Sequence, residues 1–381
     1  MIRFFRLDEV AFATTLGASV MLELPRGRLK QRPEDFVVEE IPAYAPSGAG
    51  EHVFVRFTKR DTTTLDAVRA FARALDCDPR EVGFAGMKDK RAVATQTISL
   101  HAPRGVDPRT VAARALSLEV DGIVVHEAAP HGNKLKPGHL EGNRFEITVR
   151  DVARDRLGEV TAALDRVARI GVPNAFGSQR FGVEGNNARR ALAWLRGEDK
   201  GPRDPRMRRL LWSSLQSAVF NEVLDARVRD STWATPVEGD LLKLRTSGGL
   251  FVCAAVQTDG ERAARGEVSP TGPIIGARMR WPDGAPGELE RRIAAAQLGD
   301  GFDLASTRRF GEGSRRSLRL WVEDMRWEIV EDDSGHRAAS VRVYFVLPKG
   351  GYATTVLGAA LTVDETDEPT EASSQSQDES T

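Results

Sequence analysis

The sequence predicts a protein of mixed helices and strands in two domains, the second inserted into the first. Three observations lead there. The chain has 381 residues, enough for two cores. Clean alternation occurs at 143–149, with Phe145, Ile147 and Val149 on one side, and again at 341–347, with Val341, Val343, Phe345 and Leu347 on one side. Between them, 171–312 has a different character, with a long helical run and Gly- and Pro-rich stretches.

The elements follow in order. Residues 36–40 and 52–57 read as strands, with Pro46, Gly48 and Gly50 marking the turn between them. Thr63 to Leu75 reads as a helix, because Leu65, Val68, Phe71, Ala72 and Leu75 share one face. Thr63 with Asp66 resembles a capping box, and Pro79 follows the helix end. Residues 92–100 read as a strand, and 155–169 as an amphipathic helix. The middle region carries a helix over Leu210 to Arg227 and short strands around 240–256 and 272–280.

Composition bounds the class. Apolar residues make up 41% and charged residues 29%, which is ordinary for a soluble globular protein. The apolar runs are too short to cross a membrane, and the N-terminal residues resemble no secretion signal. Cys77 and Cys253 are far apart and form no ligand pattern, which fits a reduced cytoplasmic setting. The net charge of -1 hides an asymmetry. Residues 364–381 hold seven acids and no base, and their Ser, Thr and Gln content predicts disorder. Without them the body has 54 basic and 48 acidic residues. Its bases are mostly arginine, which suits bidentate phosphate contacts and equally suits a GC-rich genome.

Five segments can carry chemistry. The first is Gly83-Phe-Ala-Gly86-Met-Lys88-Asp89-Lys90-Arg91. Three cations around Asp89 favour its ionised form and make it a candidate nucleophile or base. Cations there also suit a phosphate chain, which makes Lys88 a candidate binding residue. The spacing does not fit a Walker loop. Taken alone, Lys-Asp-Lys is also what a solvated turn looks like. The second is Arg26, Arg28, Lys30 and Arg32 followed by Phe36. In an extended chain those bases share a side, and a cationic strip beside an exposed aromatic suits an RNA strand. A Phe36 packed in the core is the plainer reading. The third runs from His131 through Asn133, Lys134 and Gly138 to Asn143 and Phe145. A basic loop can hold phosphates and Asn143 can read a base edge, while a polar hairpin turn is the alternative. His126, His131 and His139 fit no usual zinc spacing. The fourth is Phe176-Gly-Ser-Gln179-Arg180-Phe181-Gly182, and the fifth is Leu347-Pro-Lys-Gly-Gly-Tyr352. Tyr352 can stack on a base or close a sheet end. The arginine clusters at 203–209 and 308–319 read as solvated faces.

Together these segments resemble the TruD family of tRNA pseudouridine synthases. The matches are Pro33-Glu-Asp-Phe36-x-Val38-x-Glu40, Gly86-x-Lys88-Asp89-x-x-Ala92, Gly142-Asn143-x-Phe145, Gly171-Val-Pro-Asn174-x-Phe176-Gly-x-Gln179-Arg180-Phe181-Gly182 and Leu347-Pro-x-Gly350-x-Tyr352-Ala-Thr354. They fall in the family's order over most of 28–358. The resemblance implies an α+β fold: a pseudouridine synthase catalytic domain with a mixed, largely antiparallel sheet, over 1–170 and 313–363, and an inserted α+β TruD-specific domain over 171–312. It implies isomerisation of uridine 13 in tRNA, without cofactor or metal, by a protein that is typically a monomer and has no membrane partner. Asp89 matches the catalytic aspartate, and Phe36, Asn143 and Tyr352 match substrate-binding positions. Lys30 and Lys88 are expected beside them. Phenylalanine is frequent in the family where this chain has Tyr352, and the acidic tail is no part of its pattern. A non-catalytic RNA-binding protein is the rival reading.

Overall fold

A computed structural model describes residues 23–182, 185–299, 301–331 and 337–365. The chain forms two compact units. The first comprises Pro25–Glu159, Asp324–Lys349 and the residues from Leu361 on. The second comprises Val160–Glu323 and Gly350–Ala360. The divisions at 159/160 and 323/324 lie about ten residues outside the expected 170/171 and 312/313 boundaries, and the Tyr352 segment goes with the second unit. The N-terminal residues read for a secretion signal lie outside the described residues.

The first unit is built on a ten-stranded sheet. Its strands in chain order begin with β1 (Arg26–Leu29), β2 (Phe36–Pro42), β3 (His52–Arg60), β4 (Gly83–Phe84), β5 (Val93–His101), β6 (Ile123–His131) and β7 (Leu140–Ala153). Strands Glu323–Val330, Ala338–Pro348 and Thr362–Glu365 complete it. The main path runs Glu323–Val330, Ala338–Pro348, β7, β2, β5, β3, β6. Pairing is antiparallel except for β2 with β5 and β1 with Thr362–Glu365, so the sheet is mixed and largely antiparallel. Asp364 and Glu365 therefore extend a strand, two residues past the expected start of the tail. Residues 366–381 lie outside the described residues.

Helices α1 (Thr64–Ala74) and α2 (Pro108–Leu116) pack on this sheet. The Thr63 hydroxyl accepts from the Asp66 amide at 3.0 Å and fixes the start of α1. Phe71, Val68 and Leu75 meet Val53, Val55, Phe57, Ile98 and Leu100 in one apolar core. Strand β6 and helix α2 were not foreseen, because β6 shows no clean alternation and ends in Ala-Ala-Pro-His.

Register puts Lys59 beside Ala94, Phe57 beside Gln96, and Glu40 beside Asn143. Period-2 alternation then sets Lys59, Gln96, Glu40 and Asn143 on the same face as Phe57, Val38 and Phe145. A polar seam thus crosses an otherwise apolar sheet face.

The second unit contains α3 (Leu157–Ile170), which begins at its boundary, α4 (Asn187–Leu195), α5 (Pro205–Arg229), α6 (Val256–Ala264), α7 (Gly284–Leu298) and the short α8 (Ala353–Leu357). A four-stranded sheet lies among them. Helix α5 buries Trp212, Leu215, Val219, Phe220 and Leu224. The strand expected at 272–280 is Val268–Ile274, because Pro270 and Pro273 sit inside it and mask its pattern. The arginines at 315 and 319 are buried, at 5% and 4% exposure, rather than forming a solvated face.

Candidate active site

Residues 85–92 form the loop between β4 and β5. Gly83 anchors its start, since a Cβ there would lie 2.1 Å from the Leu135 carbonyl oxygen. The Lys88 amide donates to the Thr64 hydroxyl at 3.0 Å, which ties the loop to the first turn of α1. The Lys59 ammonium donates to the Asp89 carbonyl at 2.6 Å, which holds the loop apex from beneath.

The Asp89 side chain stays 46% exposed. Its ion pair is with Lys30, whose Nζ lies 3.1 Å from Oδ2. The three cations adjacent in sequence have other positions. Lys88 turns inward, the Arg91 guanidinium donates to the Gln31 carbonyl at 2.7 Å, and Lys90 is exposed. The expected ring of sequence neighbours is thus replaced by Lys30 from the side and Lys59 from below. Lys30 reaches Asp89 because it leaves β1 at φ 57, in the left-handed region. It therefore does not continue an extended strip with Arg26 and Arg28, and Arg28 pairs with Asp151.

Lys30 Nζ also lies 4.8 Å from the centre of the Phe36 ring. Phe36 is only 5% exposed and meets Phe145 edge-on at 6.1 Å, so it is a core residue at the start of β2 and not an open ring. Phe145 in turn stacks on Phe345 at 5.2 Å.

Lys88 carries the second half of the site. Its ammonium donates to Asn143 Oδ1 and lies 3.5 Å from Glu40 Oε2. An ammonium only donates, so the Asn143 atom it meets is the oxygen. The Asn143 amide nitrogen is left to face away from Lys88 as a donor. Gly142 makes this geometry possible, because a side chain there would strike the Leu347 carbonyl at 2.3 Å. Glu40 is 1% exposed and its Oε1 accepts from the Thr97 amide at 3.3 Å. Burial pushes the Glu40 carboxyl up, against the pull of Lys88. Burial likewise pulls the Lys88 ammonium down, against the pull of Glu40. For Lys59, burial lowers the ammonium to about 8. Of these, Lys59 stands outside every matched motif, and Glu40 stands within one without a role of its own.

The remaining candidates lie elsewhere. Lys134 donates to the Arg80 carbonyl, and His131 and His139 both pack on Tyr44, so the 131–139 loop is occupied by protein contacts. His126 meets Thr58. Among the described residues no three His, Cys, Asp or Glu side chains group as a metal site. Tyr352 belongs to the second unit, at the residue before α8. Among the described residues no helix is long and apolar enough to cross a membrane.

Comparison with known proteins gives these residues a context. The family model described as tRNA pseudouridine synthase D (TruD) matches residues 22–199 and 203–359. A tRNA pseudouridine synthase D of Anaeromyxobacter sp. (strain Fw109-5) is 43% identical over 350 residues, covering 89% of this chain and 94% of the relative. That of Anaeromyxobacter dehalogenans (strain 2CP-C) is 44% identical over 341 residues, covering 87% and 92%. A crystal structure of a putative tRNA pseudouridine synthase D from Methanosarcina mazei shares the fold, with a TM-score of 0.71 at 24% identity over 88% of this chain and 93% of that one. The family match and these identities span nearly the whole described chain, and the chain belongs to the TruD family of tRNA pseudouridine synthases.

Proposed function

We propose that this protein isomerises uridine 13 of tRNA to pseudouridine, with Asp89 as the reacting carboxylate. The observation that carries the reading is a carboxylate kept accessible on an anchored loop and paired with a cation, in a chain of this family, with an oriented amide held by the neighbouring Lys88. The reaction breaks N1–C1′, turns the uracil over and forms C5–C1′. The C5 hydrogen leaves as a proton and N1 gains one, so the product is an isomer. The uridine first leaves its stack, because C5 is otherwise out of reach. Asp89 acts at the sugar, either by attack on C1′ or by removing the C2′ proton to give a glycal. Both routes need the free carboxylate.

Asn143 presents its amide N–H to a uracil carbonyl, held in that sense by Lys88. Phe36, closed in the core, acts on the substrate only through the Lys30 ammonium that it seats. Tyr352 offers the RNA a ring for stacking. The protein works as a cytoplasmic monomer without metal or cofactor.

The test is to map pseudouridine in tRNA from cells lacking the protein, and then to complement them. Wild type restores the modification at position 13, and Asp89→Asn does not. Restoration by Asp89→Asn removes Asp89 from the chemistry. Restoration of a different position by wild type overturns the site assignment.

A further inference from the structure

The second unit holds a group of residues from the fourth and fifth sequence motifs that the Asp89 chemistry does not use. The Phe176 ring has two guanidinium groups near it, Arg316 Cζ at 4.2 Å from its centre and Arg180 Cζ at 5.8 Å. The ring is fixed in place. Asn221 on α5 accepts from the Phe176 amide at 2.9 Å and donates to its carbonyl at 3.0 Å. Phe220 meets its edge at 5.4 Å.

Among the described residues neither arginine has a carboxylate partner. Arg316 donates to Asn174 Oδ1 at 2.5 Å, to the Asn174 carbonyl at 3.3 Å and to the Gly350 carbonyl at 3.4 Å. Arg180 donates to the hydroxyls of Ser213 and Ser217. All these acceptors are neutral. Arg227 and Arg315, both buried in the same unit, instead meet Asp240 and Glu290. Burial, with Arg180 adding to it, lowers the Arg316 guanidinium to about 10, which leaves it charged at neutral pH. Two cations held near one ring by neutral groups repel each other, and that arrangement is favourable when an anion lies between them.

We infer that Arg316 and Arg180, both beside Phe176, bind one backbone phosphodiester of the RNA. The inference rests on the proposed function for the identity of the ligand. Each arginine keeps one terminal nitrogen, Nη1, outside its hydrogen bonds to the described residues, so each can give a phosphate oxygen one charge-assisted hydrogen bond. The Asn174 amide is oriented for the purpose, since its Nδ2 donates to the Ser317 carbonyl at 2.8 Å and leaves Oδ1 to hold Arg316.

The test is a salt titration of unmodified tRNA binding, by fluorescence anisotropy, for wild type, Arg316→Gln, Arg180→Gln and Arg316→Lys. A lost phosphate contact lowers the slope of log K against log salt by about 1, and weakens binding about tenfold at low salt. We expect that change in both Gln variants and a wild-type slope in Arg316→Lys. Thermal melts confirm folding, and Arg180→Gln decides the matter if Arg316→Gln fails to fold. Unchanged slopes in folded variants overturn the site. So does binding of inorganic phosphate with tRNA slopes that the substitutions leave alone, which would assign a free anion instead. Pseudouridine formation is scored separately. A changed slope without turnover in wild type keeps this site and sinks the proposed activity, and turnover with unchanged slopes does the reverse.

Discussion

Lys30 and Asp89 are distant in sequence, yet the Lys30 ammonium lies 3.1 Å from the Asp89 carboxylate. The same ammonium sits over the Phe36 ring at 4.8 Å, so a single cation links the loop acid to the start of β2. Asp89 is half-exposed, so the pair contributes little to folding and its consequence is for the position of the carboxylate. Lys30→Met is expected to lower kcat for tritium release from C5-labelled tRNA about 10- to 100-fold. Its tRNA affinity should change less than threefold. A variant that loses affinity and keeps kcat would make Lys30 a binding residue instead.

The Lys88–Asn143 contact gives a sharper expectation. With Oδ1 held by Lys88, the amide nitrogen is the group left for substrate. Asn143→Asp keeps an acceptor for Lys88 and replaces that donor by an oxygen. A uracil carbonyl then meets an acceptor, and kcat/KM should fall at least about 100-fold. The melting temperature should stay within a few degrees of wild type. Activity near wild type in Asn143→Asp would show that the amide nitrogen does not touch the base.

Much of this site was legible where the signal is local. The 85–92 loop is contiguous, and Asp89 stands out by its place in the family's Gly86-x-Lys88-Asp89 pattern, since its charged neighbours alone also fit a solvated turn. The alternation around Phe145 and Phe345 is visible because both strands bury one face. The rest depends on register and backbone turns. Glu40 matters because β2 and β7 align it with Asn143, and nothing within β2 states that pairing. Lys59 lies one residue before the end of a strand, where lysine ordinarily marks a solvated edge, yet its side chain lies in the sheet face and reaches the Asp89 carbonyl. Arg26, Arg28 and Lys30 alternate in sequence, but the positive φ at Lys30 redirects the chain. Reading Lys88, Lys90 and Arg91 as a ring around Asp89 treated sequence neighbours as spatial ones.

Glu40 and Lys88 form a buried pair next to this amide, at 3.5 Å. Removing one charge strands the other in a buried site. Glu40→Gln and Lys88→Met should each destabilise the protein by about 3 kcal/mol, measured by urea unfolding. The double variant should lose clearly less than the two singles combined, because no unpaired charge remains. Additive losses would mean that the two side chains act independently.

Tyr352 tests the stacking assignment in the second unit. Its hydroxyl has no hydrogen bond among the described residues, and its electrostatic neighbour is Arg316. Tyr352→Phe should keep kcat/KM within about twofold. Tyr352→Ala should lose about 10-fold or more, the size of one ring stacked on a base. A large loss in Tyr352→Phe would transfer the role from the ring to the hydroxyl.

Lys59 gives the pH dependence. Its ammonium is lowered by burial to about 8, below its ordinary value of 10.5. In the unfolded chain the amine still binds its proton between those two values, and in the folded chain it does not. Unfolded protein therefore binds more protons there, and the Lys59 contribution to stability rises from pH 8 to 10.5. Activity moves the other way. Above pH 8 the charge that holds the Asp89 carbonyl is lost, so kcat/KM should fall on an alkaline limb centred near 8. Lys59→Met should be slower than wild type by about tenfold at pH 7 and should lack that limb. A Met variant that keeps the same alkaline limb would assign the titration to another group.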